Sequence, residues 1–404
     1  MKPHRPRTAK PKNQKAPRDI YAMRKRKKRR KVLIQCIWLL LLSMTILILY
    51  QRRDSWIPKL ETMGMRHQAG RQSVRTDRDG NFPIDMYGDT DYQVGQAGGR
   101  LLVLNESYLF IYDTEGTMLS SRQHAYGSAM LRTEGEYALV YEYGGTSFRL
   151  ETPAKMRYEK KTADPIIFGR VSAEGEVALV TGSDSCSCRL LVFNLKGQQF
   201  YERDCVERIT DVSFHADGSG CYAVSTDVAE GSLCSVLHSY SFSQKEDLWT
   251  SQPLDMLAIS VYNTEDGSVF LLGDTQCCWF GTDGVQSGSY VYPDALKTAA
   301  FAGGTAALVL SNQEQRTESV VILGMDGAAP AVRDYTRTVK AIGVRPEDSR
   351  VTVMLRNQIE VLNTAGGLVG TAPVPDICDG FQRVGGYLFL LGYDRISRME
   401  DPGF

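Results

Sequence analysis

The sequence lacks the short motifs by which common catalytic and cofactor sites are recognised. It has no Gly-x-x-x-x-Gly-Lys-Ser/Thr phosphate loop, no Gly-x-Gly-x-x-Gly following a strand, no His-Glu-x-x-His and no Gly-x-Ser-x-Gly. Each motif supplies a geometry that its chemistry needs, so the corresponding nucleotide, zinc-peptidase and serine-hydrolase sites are not predicted. We therefore assign no catalytic residue and no cofactor from the sequence.

Histidine is also scarce, with five residues in a chain of 404. His4 and His67 fall near the N-terminus, which leaves His124, His215 and His238 for the rest of the chain. His215 lies in the segment FHADG, at the end of a predicted strand, where a structural or solvent-facing role is favoured over catalysis. Histidine chemistry therefore gives no basis for assigning a function.

The formal net charge of zero hides an uneven distribution of charge. Residues 1–31 hold 15 Lys and Arg against one acidic residue, whereas the remaining 373 residues hold 32 against 46. A basic run also suits nucleic acid, but the apolar segment beside it favours a membrane topology signal that rests on anionic lipid. We therefore expect contact with a membrane and no nucleic-acid partner.

An uncharged run of 19 residues occupies positions 32–50. As a helix it spans about 28 Å at ~1.5 Å per residue, close to the thickness of the hydrocarbon core of a bilayer. Basic residues fill positions 24–31 and only Arg52 and Arg53 follow, so the positive-inside rule places the N-terminus in the cytoplasm. A cleaved signal peptide is the alternative, but the run is long for one and residues 51–54 are not small. We predict a single-pass protein of the cell membrane.

These features divide the chain into four parts. We predict a basic, disordered cytoplasmic tail at 1–31, a transmembrane helix at 32–50, a polar stalk at 51–75 and a folded extracytoplasmic domain at 76–404. Any binding or catalysis outside the membrane is therefore expected in the last part.

Beyond residue 90 the chain repeats a turn followed by an apolar run of five or six residues, as in GGRLLVL and EGEVALVT. The turn residues lie 36 to 49 residues apart, at Gly99, Gly135, Gly175, Gly218, Gly267, Gly304, Ser349 and Gly386. A period near 40 with short apolar runs predicts an all-β propeller built from four-stranded blades. Eight turns predict eight blades. Seven is the alternative, because units 2 and 4 lack the second glycine turn that most other units contain.

That second turn follows the first by 17 to 23 residues, at Gly116, Gly197, Gly284, Gly327 and Gly366. The spacing predicts antiparallel strands a to d in each blade, with a–b and c–d turns at one end and b–c loops and d–a connections at the other. Gly80 precedes Gly99 by 19 residues, as a c–d turn would, while the last unit lacks strand d. We therefore predict that Phe82–Asp85 pairs with Arg395–Met399 and closes the ring.

Four cysteines are predicted to lie near the b–c and d–a rim: Cys186, Cys188, Cys205 and Cys234. In an oxidising compartment the first interpretation is a disulfide of Cys205 with either Cys186 or Cys188. Unpaired structural thiols are the second interpretation. A zinc site of all four thiolates is the third, although the Cys-Ser-Cys spacing is tighter than usual.

The same rim carries the longest insertions, SDSCSCR, TDVAEGS and SNQEQRTES, in units 3, 4 and 6. Loops held on a rigid scaffold and the mouth of the channel are the expected places for a binding site. In unit 2 the hairpin LVYEYGGTSFRL offers Tyr141 and Tyr143 as candidate ligand contacts. An ordinary b–c hairpin with a Gly-Gly turn is the alternative interpretation.

The basic tail, the single apolar segment, the weakly repeated propeller pattern and the hairpin at 139–150 together resemble a family of uncharacterised proteins from Gram-positive bacteria. Members of that family are membrane-anchored and propeller-like. The similarity extends from about Arg24 to the C-terminus. It implies no known activity and no functional residue.

The leading hypothesis is a membrane-tethered, non-enzymatic binding or scaffold module for a protein or a cell-envelope glycan. The absence of the motifs above and the rigidity expected of a propeller favour it. One alternative is an extracytoplasmic glycan hydrolase or lyase, which needs two carboxylates about 5–10 Å apart at the channel mouth. Another is a sensor whose cytoplasmic tail recruits a partner.

Overall fold

The computed structural model describes residues 81–402 apart from 87–90, 230 and 376. The predicted tail, transmembrane helix and stalk, and the predicted turn at Gly80, lie outside these residues. Among the described residues, no helix has the length and apolar character needed to cross a membrane. The described chain forms 32 β-strands, arranged in eight four-stranded sheets.

Each sheet is one blade of a propeller, and the earliest strand, β1 (Ile84–Asp85), belongs to the last blade. The strands of blades 1 to 4 are β2 (Gln93–Ala97), β3 (Arg100–Leu104), β4 (Tyr108–Tyr112), β5 (Met118–Gln123), β6 (Ala129–Glu134), β7 (Tyr137–Glu142), β8 (Ser147–Glu151), β9 (Met156–Lys161), β10 (Ile166–Val171), β11 (Val177–Thr181), β12 (Cys188–Phe193), β13 (Gln199–Cys205), β14 (Arg208–Phe214), β15 (Gly220–Ala229), β16 (Ser232–Ser241) and β17 (Asp247–Thr250). The remaining strands, which form blades 5 to 7 and complete blade 8, are β18 (Ala258–Asn263), β19 (Val269–Gly273), β20 (Gln276–Phe280), β21 (Gln286–Val291), β22 (Ala295–Ala302), β23 (Thr305–Asn312), β24 (Thr317–Gly324), β25 (Ala331–Tyr335), β26 (Ala341–Val344), β27 (Val351–Met354), β28 (Gln358–Leu362), β29 (Leu368–Pro373), β30 (Cys378–Val384), β31 (Tyr387–Gly392) and β32 (Arg395–Glu400).

Blade 8 combines strands from both ends of the described chain. β1 lies antiparallel to β32, with Ile84 opposite Ile396 and Asp85 opposite Arg395. The predicted closure by one early strand and three late strands is confirmed. Units 2 and 4, which lack the second glycine turn, are complete four-stranded blades. The ring therefore has eight blades, and the seven-bladed alternative was wrong.

The two middle strands of a blade are buried on both faces because a neighbouring blade covers each side. Every residue of β11 (VALVT) and of β19 (VFLLG) is buried. The outer strand β21 instead has only exposed and half-buried residues. The buried side chains of the described residues form eight apolar clusters, one between each pair of neighbouring blades. Burial on both faces explains why the repeated runs are continuously apolar.

A residue with positive φ marks every a–b turn, as the close reversal of the chain requires. Glycine supplies it in seven blades, whereas blade 7 uses Ser349 at φ 56°. In blade 8 the residue is Gly385 at φ 58°, one position before the predicted Gly386. We call the end of the blades with the a–b and c–d turns the turn face, and the end with the b–c loops and d–a connections the loop face.

Two b–c hairpins extend the loop face. β15 and β16 contain ten residues each, and β23 and β24 contain eight each. Their ladders run without interruption to Ala229 opposite Ser232 and to Asn312 opposite Thr317. The insertions predicted in units 4 and 6 are therefore paired strands for most of their length, whereas residues 182–187 in unit 3 form a loop.

Candidate functional site

A cavity of about 820 Å³ opens on the loop face beside blade 7. It is formed by the connection from blade 6 to blade 7, the b–c loop of blade 7 and the connection to blade 8. Its lining residues are Thr336, Arg337, Thr338, Lys340, Arg356, Asn357 and Ile377. The cavity lies on the face where a site was expected, but at blade 7 rather than at the insertions of blades 3, 4 and 6.

Backbone hydrogen bonds hold the cavity walls in place. The amide of Lys340 donates to the carbonyl of Met354 (2.8 Å), and the amide of Val374 donates to the carbonyl of Asn357 (3.0 Å). The connection that carries Arg337 is also fixed at Val339, whose amide donates to the carboxylate of Glu318 (2.7 Å). Nζ of Lys297 donates to the carbonyl of the same Val339 (2.8 Å). The walls are therefore pre-organised by the blades.

Three of the side chains that line the cavity are cationic. Nζ of Lys340 contacts the carboxylate of Asp379 (3.0 Å) and donates to the carbonyl of Cys378 (2.8 Å), which orients it between blades 7 and 8. Arg337 and Arg356 are exposed. Within the described residues Arg337 has no hydrogen-bond or ion-pair partner. The cavity is thus lined by an ammonium group paired with Asp379, by the guanidinium of Arg356, which has a partner of its own, and by the unpaired guanidinium of Arg337.

Such a lining suits an oxyanion. Guanidinium groups bind carboxylate and phosphate through two parallel N–H donors. The hydroxyl groups of Thr336 and Thr338 and the amide of Asn357 add neutral donors and acceptors, and Ile377, 52% exposed, adds an apolar surface. The cavity can therefore hold a charged group and the polar or apolar atoms attached to it.

A larger cavity of about 1080 Å³ lies on the turn face of blades 5 to 7. Its acidic lining is engaged by its own turns, since Asp266 accepts from the amide of Ser268 (3.0 Å) and Asp326 accepts from the amide of Ala328 (3.0 Å). Hydrogen bonds from Thr264 and Ser268 lower the pKa of Asp266. These carboxylates stabilise turns, so the loop-face cavity is the better candidate.

The predicted cysteine rim lies between blades 3 and 4. Cys188 and Cys205 are directly opposite each other on β12 and β13 and are buried, as is Cys234 on β16, while Cys186 is half-buried. All eight cysteines of the described residues are free thiols. In this part of the chain no three His, Cys, Asp or Glu side chains are grouped so as to hold a metal ion. The disulfide stays a prediction, which is taken up below.

The two candidate tyrosines occupy opposite environments. Tyr141 is 1% exposed and packs in the apolar cluster between blades 2 and 3, with Phe148 and Leu179. Tyr143 is 58% exposed beside Gly144 in the b–c turn. A ligand on the surface reaches Tyr143 alone, because a contact with Tyr141 requires opening of the core.

A Ser-His-Asp arrangement in blade 4 was not expected from the sequence. Oγ of Ser225 lies 2.9 Å from Nε2 of His238, and Nδ1 of His238 lies 3.1 Å from the carboxylate of Asp247. These distances match those of a hydrolase triad, but Ser225 is 1% exposed, so its hydroxyl is closed to a substrate. Asp247 is also paired with Arg203 of blade 3. We interpret the group as a polar network that ties the two blades together.

Coupled carboxylates occur on the turn face, between blades 2 and 3. Burial raises the pKa of Glu134, and the neighbouring carboxylate of Glu174 raises it further. Glu176 is affected in the same way by burial and by Glu174. This group lies on the opposite face from the cation-lined cavity, and the predicted carboxylate pair of a glycan hydrolase at the channel mouth stays a prediction.

Arg337 and Arg356 were not among the residues predicted from the sequence. The sequence does contain a signal for their proximity. The predicted strand order assigns the segment TRT at 336–338 to a d–a connection and the segment LRN at 355–357 to a b–c loop. Both connections emerge on the loop face. Arginines that recur in neighbouring connections of one face indicate such a pocket, whereas the longest insertions indicate blades 3, 4 and 6.

Together, these features define a closed eight-bladed β-propeller with a cationic cavity on one face. The chain belongs to DUF5711, a family of unknown function whose model matches residues 81–370. The expected resemblance to an uncharacterised family is thereby confirmed, while the Gram-positive source and the membrane anchor stay predictions. A search of the curated proteins finds no match.

Solved structures share the fold at low identity. BamB from Moraxella catarrhalis is 10% identical with a TM-score of 0.53, over 76% of this chain and 96% of that chain. Sqt1 from Saccharomyces cerevisiae is 8% identical with a TM-score of 0.56, over 79% and 98%. Sqt1 from Chaetomium thermophilum is 13% identical with a TM-score of 0.55, over 78% and 97%. At such identities the likeness supports the propeller fold alone.

Proposed function

We propose that the protein is a membrane-tethered, extracytoplasmic propeller that binds an anionic group of a protein or cell-envelope glycan without converting it chemically. The tether is supported by the charge and hydropathy of residues 1–50. One observation above all supports the binding role. Arg337, Lys340 and Arg356 line the same cavity, and backbone hydrogen bonds fix its walls.

The cavity suits binding because its walls are already fixed before a ligand arrives. A cavity whose backbone is already fixed loses little conformational entropy when a ligand binds. Cationic side chains that line one concave site favour an anion during its approach. The exposed guanidinium of Arg337 supplies a fork of donors, the guanidinium of Arg356 adds a second positive charge, and each charge-assisted hydrogen bond to the anion is worth about 1.5–3 kcal/mol.

Crosslinked pull-down from cells tests the binding role. Full-length wild-type protein is compared with the double variant Arg337→Glu/Arg356→Glu and with Arg157→Glu/Lys160→Glu, which makes the same change of charge on the exposed strand β9. We expect recovery of the partner to fall at least about tenfold in the cavity variant only. Equal recovery from all three proteins would displace the cavity as the binding site.

Surface labelling of intact cells tests the tether. A membrane-impermeant amine reagent should modify Lys155, an exposed residue of the c–d turn of blade 2, without lysis of the cells. The predicted extracytoplasmic position of residues 76–404 requires this result. Labelling of Lys155 only after lysis would reverse the proposed orientation.

A further inference from the structure

Two thiols face each other where the chain passes from blade 3 to blade 4. Cys188 begins β12 and Cys205 ends β13, and the two are direct partners in the antiparallel ladder. Directly opposed residues of such a ladder have Cα atoms about 4.5–5.5 Å apart, within the range that a disulfide spans. The backbone already holds the pair in a geometry that a disulfide can use.

The pair lies under a short connection. After Cys205 only Val206 and Glu207 precede β14, and Val206 is 79% exposed. Sγ of Cys188 lies 3.5 Å from the carbonyl of Glu207 and accepts from the amide of Ile209 at 3.4 Å. This connection and the first residues of β14 therefore separate the two thiols from solvent.

Cys186 is the other candidate partner of Cys205, and its surroundings differ from those of Cys188. It lies two residues before Cys188 but is half-buried, and its sulfur contacts the carboxylate of Asp204 at 3.6 Å and the carbonyl of Cys188 at 3.1 Å. It is not part of the β12–β13 ladder. Of the two pairings that the sequence leaves open, the structure therefore favours Cys205 with Cys188.

The two thiols of the pair are not equivalent. The neighbouring thiol of Cys205 lowers the pKa of the Cys188 thiol to about 7, and the amide of Ile209, which donates to the Cys188 sulfur, acts in the same direction. The neighbouring thiol of Cys188 and burial raise the pKa of Cys205. Because the thiolate is the nucleophile in disulfide exchange, Cys188 is the attacking member.

We propose that Cys188 and Cys205 form a disulfide that joins strand c to strand d of blade 3 at the junction with blade 4, while Cys186 remains a thiol. The Cys188 thiolate attacks one sulfur of a small-molecule disulfide such as oxidised glutathione, and the second glutathione leaves as a thiolate. Cys205 then loses its proton and attacks the Cys188 sulfur, which releases the first glutathione. Two electrons and two protons pass from the pair to glutathione.

Thiol counting and peptide mapping test this pairing. Full-length protein in detergent is equilibrated with oxidised and reduced glutathione, denatured and alkylated. We expect the number of free thiols to fall by two from the nine cysteines of the chain. Trypsin cleavage after Arg203 and Arg208 releases Cys205 in a five-residue peptide, which should be recovered linked to the peptide that ends at Arg189.

Variants identify the partner of Cys205. The link should persist in Cys186→Ser and disappear in Cys188→Ser, and oxidation should raise the Tm of Cys186→Ser and of wild type alike. Loss of the link in Cys186→Ser would overturn the assignment, as would nine free thiols at every glutathione ratio that leaves the protein folded. The Cys186→Ser result decides the question even if Cys188→Ser does not fold. None of these outcomes depends on the cavity at blade 7.

Discussion

Buried ionisable side chains in this propeller form ion pairs or hydrogen bonds, several of them with a neighbouring blade or connection. Glu151 of blade 2 is fully buried and is paired with Arg122 of blade 1 and with Arg149. Burial raises the pKa of Glu151, whereas the two guanidinium groups lower it. A buried charge of this kind is stable only with its partners in place, because desolvation of an isolated charge is costly.

His124 leads to a prediction about pH. It is 6% exposed, with Nε2 3.0 Å from the carbonyl of Asn105, and burial lowers its pKa. In the unfolded chain His124 therefore binds a proton near pH ~6.5, whereas in the folded protein it stays neutral at that pH. The free energy of unfolding consequently decreases as the pH falls below that value. We expect the Tm of wild type to drop more between pH 7.5 and 5.5 than that of His124→Gln.

The variant comparison isolates His124 from the other titrating groups. His215 also has a pKa lowered by burial, and Glu134 and Glu151 have raised ones, but all three are present in both proteins and cancel. Equal shifts of Tm in the two proteins would show that the burial of His124 does not oppose its protonation.

At the scale of strands, the innermost strands of neighbouring blades are tied by polar side chains. Asp211 of β14 is 1% exposed and accepts from Arg170 of β10 at 2.7 and 2.8 Å. Its second oxygen accepts from the amide of Val261 of β18 at 3.0 Å. One carboxylate thus connects blades 3, 4 and 5.

Removal of this carboxylate should be strongly destabilising. Asp211→Ala leaves a guanidinium group and a buried amide without their acceptor, and we expect a loss of about 3–5 kcal/mol in the free energy of unfolding. Chemical denaturation measures it. Asp283→Ala removes a carboxylate from an exposed c–d turn, where it accepts from the amide of Val285, and should lose about 1 kcal/mol. Similar losses in the two variants would contradict the bridging role of Asp211.

At the scale of the whole molecule, stability depends on closure of the ring. β1 contributes two residues to blade 8, and Ile84 packs in the cluster between blades 8 and 1 with Phe389 and Ile396. Without it, strand d of blade 8 would be missing and the edge of β32 exposed. The shortest strand therefore has an effect on the entire domain.

Truncation of this side chain tests the closure. Ile84→Ala removes a buried side chain, so we expect a loss of about 2–5 kcal/mol in the free energy of unfolding and faster cleavage by added protease. Val285→Ala provides the control, because Val285 is 63% exposed in a c–d turn and its truncation should be nearly neutral. A loss as small as that of the control would mean that closure does not depend on Ile84.

Local patterns specify the blades because each is a sheet of consecutive strands. Glycine turns such as Gly99 and Gly116 are separated by strand-length apolar runs, and their spacing gives the strand order and the closure through Phe82–Asp85 and favours eight blades over seven. The candidate site is less local. Arg337 and Arg356 come from different connections, and their approach depends on blade geometry rather than on any short motif.

The sequence by itself determined that the folded part of this chain is an all-β propeller closed by pairing of an early strand with a late one, because β-strand patterns, turn chemistry and period are local properties; the structure decided that it has eight blades and not seven. Only the tertiary structure decided that Arg337, Lys340 and Arg356 share a cavity, that Tyr141 is core while Tyr143 is exposed, and that Cys188 rather than Cys186 faces Cys205. Those relations depend on side-chain direction and on packing between strands and blades that are distant in sequence, which no local pattern specifies.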